Sequence, residues 1–269
     1  MVVPTQAPAA AERLRCARQE RLGCAPVRDL IGIDDLDLAY EVQQIQVRVA
    51  LDRGRRLIGR KIGLTSPAVQ AQFGVHQPDF GVLFDHMWMQ QGRAIDRAAL
   101  IAPRIEAEVA FHLAEDLDSR EVSASDAVAA SDWVAPAFEI VDSRIANWDI
   151  TISDTIADNA SAGLFVLGDD RMDASQLGLA GLESVQVTVR RDGTEVSSGT
   201  GEACMGNPAF AMAWLANELA GRGTPLRSGD LVLSGALGPM VAVDRDCTFS
   251  ADFGLFGAVR AVFERGSES

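Results

Sequence analysis

The chain has 269 residues, 48% of them hydrophobic, and a formal net charge of −14. That length fits one large domain or two small ones, and the apolar content excludes a chain that is disordered throughout. The acidic balance, with no Lys/Arg cluster to offset it, excludes nucleic acid and anionic membrane surfaces as partners.

In chain order, the opening "MVVPTQAPAAAERLRC" lacks a basic segment followed by an apolar one, so it does not read as a signal peptide. No apolar run approaches the roughly 20 residues of a membrane helix, and a cytoplasmic protein is expected. Residues 8–22 are rich in Ala, Arg, Glu and Leu and read as a helix. A second, amphipathic helix follows, with Leu38, Val42, Ile45 and Val49 on one stripe, Asp34 or Asp35 as its cap and Gly54 at its end. "RLIGRKIGL" reads as a strand interrupted by glycines, and "SPAVQAQFG" as a short helix capped by Ser66 with Pro67 in first position. Beyond it the pattern turns to short strands, at 104–113, 133–142, 161–167, 184–190, 194–198, 230–234, 247–253 and 256–263, with a hairpin turn at "RRDG". One long helix interrupts them, "NPAFAMAWLANELAGRG", capped by Asn207 and stopped by Gly221 or Gly223. The expectation is an α+β chain with a helical N-terminal segment (1–65) and a strand-rich body (66–269) forming one continuous unit. "GTGEACMG" has the wrong spacing for a dinucleotide site, and neither a P-loop nor a G-x-S-x-G elbow occurs. Cys16, Cys24, Cys204 and Cys247 form no C-x-x-C pair, which argues against zinc and for free thiols.

The segment "PRIEAEVAFHL" alternates apolar and polar residues and places Glu106 and Glu108 on one face of a strand. Acidic residues on a wet strand face are common. The other reading is a hard divalent cation, which turns the mutual repulsion of two carboxylates into attraction. A third carboxylate, Glu139, lies between Phe138 and Ile140 in "WVAPAFEIVDSRI", where an unpaired charge is costly. Asp142 competes with it, but points to the opposite face near a strand end, beside Ser143 and Arg144. Lys61 sits between Arg60 and Ile62, either as a snorkelling surface residue or as a buried cation. "SDTIADNASAG" reads as a polar loop, or as a source of small donors for a site.

Taken together, "GRKIGLTSPAVQAQFGVHQPDFGVLF", "PRIEAEVAF", "PAFEIVDSRI", "DTIADNAS" and "PLRSGDLVLSGALGPMVAV" resemble the hydratase/decarboxylase branch of the fumarylacetoacetate hydrolase superfamily. The resemblance runs in unbroken order from about residue 28 to about residue 262. It implies a mixed β-roll-like core, Mg2+ or Mn2+ held by Glu106, Glu108 and Glu139, Lys61 and Asp79 as catalytic residues, Ser161 in the substrate pocket, and a homo-oligomer. It further implies water addition to 2-hydroxypenta-2,4-dienoate, giving 4-hydroxy-2-oxopentanoate in the breakdown of aromatic compounds. Decarboxylation of 4-oxalocrotonate, hydration of a longer or dicarboxylic dienol, and a non-catalytic small-acid module are the alternatives. The catalytic His of the hydrolases proper is not found, since His76, His86 and His112 are the only histidines, and this lowers the rank of C–C hydrolysis. An apolar wall around "GVLF" and "LSGALGPMVAV" favours a monocarboxylic substrate, and a dicarboxylic one would need an arginine such as Arg60 or Arg144 in the pocket.

Overall fold

The computed structural model describes residues 6–66, 70, 75 and 77–266. Three helices lead: α1 (Ala7–Glu20), α2 (Arg28–Ile31) and α3 (Leu36–Asp52). The Asp35 carboxylate caps α3 by accepting from the Leu38 N–H at 3.0 Å, and Gly54 just past its end takes φ +81°. α3 buries Ala39, Tyr40, Val42, Gln43 and Val47, whereas Leu38, Ile45 and Val49 are only half-buried. The buried arc is thus wider than the expected stripe and rotated from it, because α3 packs against α1 on one side and α5 (Ile152–Ala157) on another. The short helix expected at "SPAVQAQFG" lies mostly outside the described residues.

The body is built on a nine-stranded mixed sheet. Its main path runs β2 (Asp79–Phe84), β1 (Leu57–Gly63), β11 (Leu231–Ala236), β5 (Arg104–Leu113), β6 (Ser131–Val141), β7 (Ala162–Leu167) and β3 (Trp88–Met89). β12 (Val241–Ala242) pairs with β5 and β8 (Met172–Asp173) with β6. β1 and β11 run parallel, while β5 is antiparallel to both its neighbours. A second sheet, β10 (Thr194–Thr200), β9 (Gln186–Arg191), β13 (Cys247–Asp252), β14 (Ala258–Glu264) and β4 (Ala94–Asp96), contains the expected hairpin, its turn made by Asp192 and Gly193 at positive φ. The architecture is the α+β type with a helical lead that the sequence predicts.

The two faces of the main sheet differ. One carries Ile105, Val109, Phe111, Phe138 and Ile140 into the large core. The other carries a smaller cluster that includes Ala110, Ala137, Val82, Leu231 and Leu233. Glu106, Glu108 and Glu139 share this second face, since side chains alternate along a strand. Helix α7 (Pro208–Gly221), capped by Asn207, packs on the first face against β11 and β1.

Besides the short α2, β3, β4, β8 and β12, four elements are not foreseen in the sequence. β2, "DFGVLF", is buried at all six positions, so it lacks alternation. α4 (Ala124–Ala129) starts in a Ser123/Asp126 capping box, and α6 (Ala174–Ser184) bends at Gly178. The segment read as a polar loop is α5 followed by a single turn at Asn159–Ser161. Its polar residues face inward: Asp154 accepts from the Val27 and Arg28 N–H groups and from the Arg28 guanidinium. Gln43 of α3 donates to the carbonyls of Phe80 and Ile156. The helical lead is thereby fastened to the two segments that frame the site below.

Candidate metal centre

Strand register assembles the centre. Glu106 of β5 stands directly opposite Glu139 of β6, and Glu108 lies two residues along on the same face. One carboxylate oxygen from each of the three falls within 4.8 Å of the other two. Glu108 and Glu139 are buried, and Glu106 is half-buried toward a cleft. An irregularity in β11 between Leu233 and Ala236 frees the Gly235 N–H to donate to Glu108 Oε2 at 2.8 Å. Among the described residues, Glu108 Oε1 and Glu139 Oε1 meet no donor. Buried carboxylate oxygens without partners are expensive, and a hard divalent cation that binds oxygen ligands at about 2.0–2.6 Å would satisfy them. The donor set therefore fits Mg2+ or a similar ion.

The electrostatics agree. Burial, reinforced by the Glu139 charge, raises Glu106 to about 7. Burial and the neighbouring Glu139 and Glu106 push Glu108 well up, and burial raises Glu139 against the pull of Lys61. These shifts predict a pH-dependent stabilisation by metal. An acid whose folded pKa lies above its unfolded value binds extra protons in the folded state, so the metal-free protein loses stability as pH rises through the window from 4.5 to about 7. A cation binds the deprotonated form and removes that penalty. The rise in Tm on adding Mg2+ should therefore be larger at about pH 7.5 than at about pH 5. An equal rise at both, in thermal unfolding scans, would contradict this.

Lys61 is buried at 2% exposure, not a snorkelling surface residue. Its Nζ lies 3.2 Å from Glu139 Oε2 and donates to the Ala160 carbonyl at 3.0 Å. Burial alone would lower its pKa, but the charges of Glu139, Asp79, Glu106 and Glu108 outweigh burial and hold it above its ordinary value. Asp79 begins β2 opposite Gly63 of β1, and a Cβ at Gly63 would come within 2.2 Å of Asp79 Oδ1 and 3.3 Å of Lys61 Nζ. Glycine is therefore needed there to leave room for both groups. Burial raises Asp79, although Lys61, the Thr155 hydroxyl and the Gly63 N–H oppose this.

Ser161 lies in a turn in which Asn159, Ala160 and Ser161 all take left-handed φ of 56°, 49° and 55°. The Asn159 side chain pins this turn to β2 by accepting from the Val82 N–H and donating to the Val82 carbonyl. The turn aims the Ala160 carbonyl at Lys61 and brings the Ser161 hydroxyl 3.5 Å from that of Thr155. Lys61, Asp79, Glu106, Thr155 and Ser161 all line one cleft of about 620 Å3.

Other candidates are engaged elsewhere. Asp142 accepts from the N–H groups of Ile101 and Ala102. Arg144 is buried in an ion pair with Asp158, and Arg60 donates to the Gly59 carbonyl; neither lines the cleft. The arginine that does so is Arg104, which the sequence reading passed over although it shares the strand face of Glu106 and Glu108. "GVLF" is likewise core and not cleft wall, whereas Ala236, Pro239 and Met240 of "LSGALGPMVAV" do form wall. His112 pairs with Asp132 at 2.7 Å and stacks on Trp133, and His86 lies 3.8 Å from Asp85. His76 lies outside the described residues.

A tricarboxylate cluster beside a buried lysine, with Glu106 and Lys61 opening on a cleft, is a donor set suited to a hard cation and a small anion. The chain belongs to the fumarylacetoacetate hydrolase family: the model described as fumarylacetoacetate (FAA) hydrolase C-terminal matches residues 57–264. It is 48% identical over 261 residues to the TodF product hydratase of Pseudomonas putida, covering 95% of this chain and 94% of that one. It is 47% identical over 253 residues to a 2-keto-4-pentenoate hydratase of Burkholderia vietnamiensis, covering 94% and 95%. Among solved structures it resembles 4-oxalocrotonate decarboxylase from Pseudomonas putida G7, complexed with magnesium and adipate, with a TM-score of 0.91, 31% identity and coverage of 96% and 97%.

Proposed function

We propose that this protein is a divalent-cation-dependent hydratase that converts 2-hydroxypenta-2,4-dienoate to 4-hydroxy-2-oxopentanoate. The observation that carries the reading is the Glu106–Glu108–Glu139 cluster, with Glu108 and Glu139 buried and Glu106, Lys61 and Asp79 lining one cleft. The names of the relatives at 47–48% identity support a dienoate substrate. Mg2+ is the favoured ion, with Mn2+ the alternative of similar chemistry. Held by the three glutamates, the ion would supply Lewis acidity at the substrate's 2-oxygen.

The chain's own residues supply the rest. Lys61, kept charged by the surrounding carboxylates, serves as fixed positive charge for the enolate and not as a proton carrier. Asp79, raised by burial, is the group suited to hold and move a proton. Protonation at C5 with loss of the enol proton gives the 2-oxo-3-enoate. Water then adds at C4, and protonation at C3 completes the product. The hydroxyls of Thr155 and Ser161 line the same cleft and offer donors to the incoming water or the acid. The helical segment 1–65 and the body 66–269 act as one unit in this reading, since Lys61 comes from the first and the glutamates from the second. The family resemblance also supports a homo-oligomer in the cytoplasm, and light scattering measures its size.

The cleft is also lined by Leu64, Val141, Ile150 and Pro239. Burying a second carboxylate against them is costly, whereas one extra methyl changes binding by only about 1–3 kcal/mol. The specificity constant should be highest for 2-hydroxypentadienoate, within about a hundredfold for its methyl homologue, and lowest for a dicarboxylic analogue. Preferred turnover of 4-oxalocrotonate with release of CO2 would move the protein to the decarboxylases.

A further inference from the structure

Arg104 opens β5 on the face that carries Glu106 and Glu108, so it stands at the outer end of the same row. Its guanidinium lies 4.4 Å from the centroid of the Trp148 ring, and its Nη1 donates to Met240 Sδ at 3.4 Å, a weak acceptor. Among the described residues no carboxylate pairs with it. Arg97 nearby, by contrast, has Asp246 at 3.4 Å. Arg104 is thus a half-buried cation in the cleft, held in place by an aromatic ring; it feels the charge of Glu106 two residues along but closes no ion pair with it.

The backbone that carries the ring is strained. Asn147 and Trp148 take left-handed φ of 59° and 56°, a conformation that costs a bulky residue about 1–2 kcal/mol. The indole N–H donates to the Ala102 carbonyl at 3.0 Å, which fixes the ring beneath the guanidinium. Arg104 and Trp148 line both the main cleft and a neighbouring cavity of about 530 Å3, so the pair forms the wall between them.

We propose that Arg104, laid on Trp148, is a substrate-positioning residue that binds the C1 carboxylate of the 2-oxo or dienol acid and presents it to the glutamate cluster. The inference rests on the proposed function, whose substrate carries its one full charge at C1. Two residues along a strand span about 6.7 Å, within reach of an arginine side chain. Lys61 is largely committed to Glu139 and the Ala160 carbonyl, so a second cation is needed for the carboxylate oxygen that faces away from the metal. A guanidinium supplies that contact with two donors in a fixed plane.

Calorimetric titration of the Mg2+-loaded protein with pyruvate and with 2-oxoglutarate tests this without turnover. The two probes share a head, and only the second has a tail carboxylate. Arg104→Met should weaken both by the same factor, about tenfold to a hundredfold for a lost charge-assisted contact, and Arg104→Lys should restore part of it. The rise in Tm on adding Mg2+ should persist in Arg104→Met, showing that the cation site still stands. In turnover, KM should rise by more than kcat falls. No binding of pyruvate to the wild-type protein, unchanged binding to Arg104→Met, or a loss confined to 2-oxoglutarate would overturn the proposal. Failure of the hydratase reading shows separately, as absent dienoate turnover.

Discussion

Glu139→Gln should reduce turnover by roughly a thousandfold or more while leaving the protein folded, because the several kcal/mol of charge stabilisation supplied by a bound ion are lost with it and each 1.4 kcal/mol is tenfold. Glu106→Gln and Glu108→Gln should behave similarly. Glu139 is the most telling of the three, because it faces Glu106 across the β5–β6 pair and also touches Lys61. The variant has a second signature. Removing this carboxylate relieves its repulsion with Glu106 but also takes the nearest counter-charge from Lys61, so the metal-free protein should lose some stability, less than Lys61→Met does because Asp79 still faces the lysine. The gain in Tm with Mg2+ should shrink at the same time. A Glu139→Gln protein with normal turnover and a normal Mg2+ response would remove the glutamate cluster as the metal centre.

Lys61→Met should lower kcat/KM by about a hundredfold to a thousandfold, the range found when one preorganised electrostatic donor is deleted. Its effect on stability depends on the metal. Without the ion, Glu139 and Asp79 lose the counter-charge beside them, and the protein should lose about 3 kcal/mol, as when one partner of a buried ion pair is removed. With Mg2+ bound, much of that loss should disappear, leaving a folded protein that turns over poorly. Steady-state kinetics alongside denaturant titrations with and without Mg2+ separate the two effects. Wild-type kinetics in this variant would reduce Lys61 to a structural counter-ion.

How far the site could be read from sequence depended on whether each signal was local. β5 was legible because its alternation spans ten residues, and the placement of Glu106 and Glu108 on one face follows from that period alone. That Glu139 lies opposite Glu106 is a matter of register, which no local pattern encodes. The burial of Lys61 is left open by the sequence for a related reason. β1 lies inside the sheet between β2 and β11, and β11 comes from a segment about 170 residues later in the chain. β2 itself was missed because it is buried on both faces. The left-handed turn at Asn159–Ser161 contains no glycine, so composition gave no sign of it; the tertiary clamp of Asn159 on Val82 imposes it. Arg104 does carry a readable signal, its i, i+2, i+4 spacing with the glutamates, although an arginine opening a strand is by itself an ordinary snorkelling side chain.

In the proposed reading, three glutamates hold a divalent cation with which this cleft hydrates a short dienol acid. The most direct measurement follows the loss of diene absorbance when the protein is mixed with freshly generated 2-hydroxypenta-2,4-dienoate, first after EDTA treatment and then after Mg2+ is restored, with the product identified as 4-hydroxy-2-oxopentanoate. The expected result is negligible enzymatic loss in EDTA and recovered turnover with Mg2+, absent in Glu139→Gln. Full turnover in metal-free buffer, or no turnover of this substrate at any Mg2+ concentration, would contradict it.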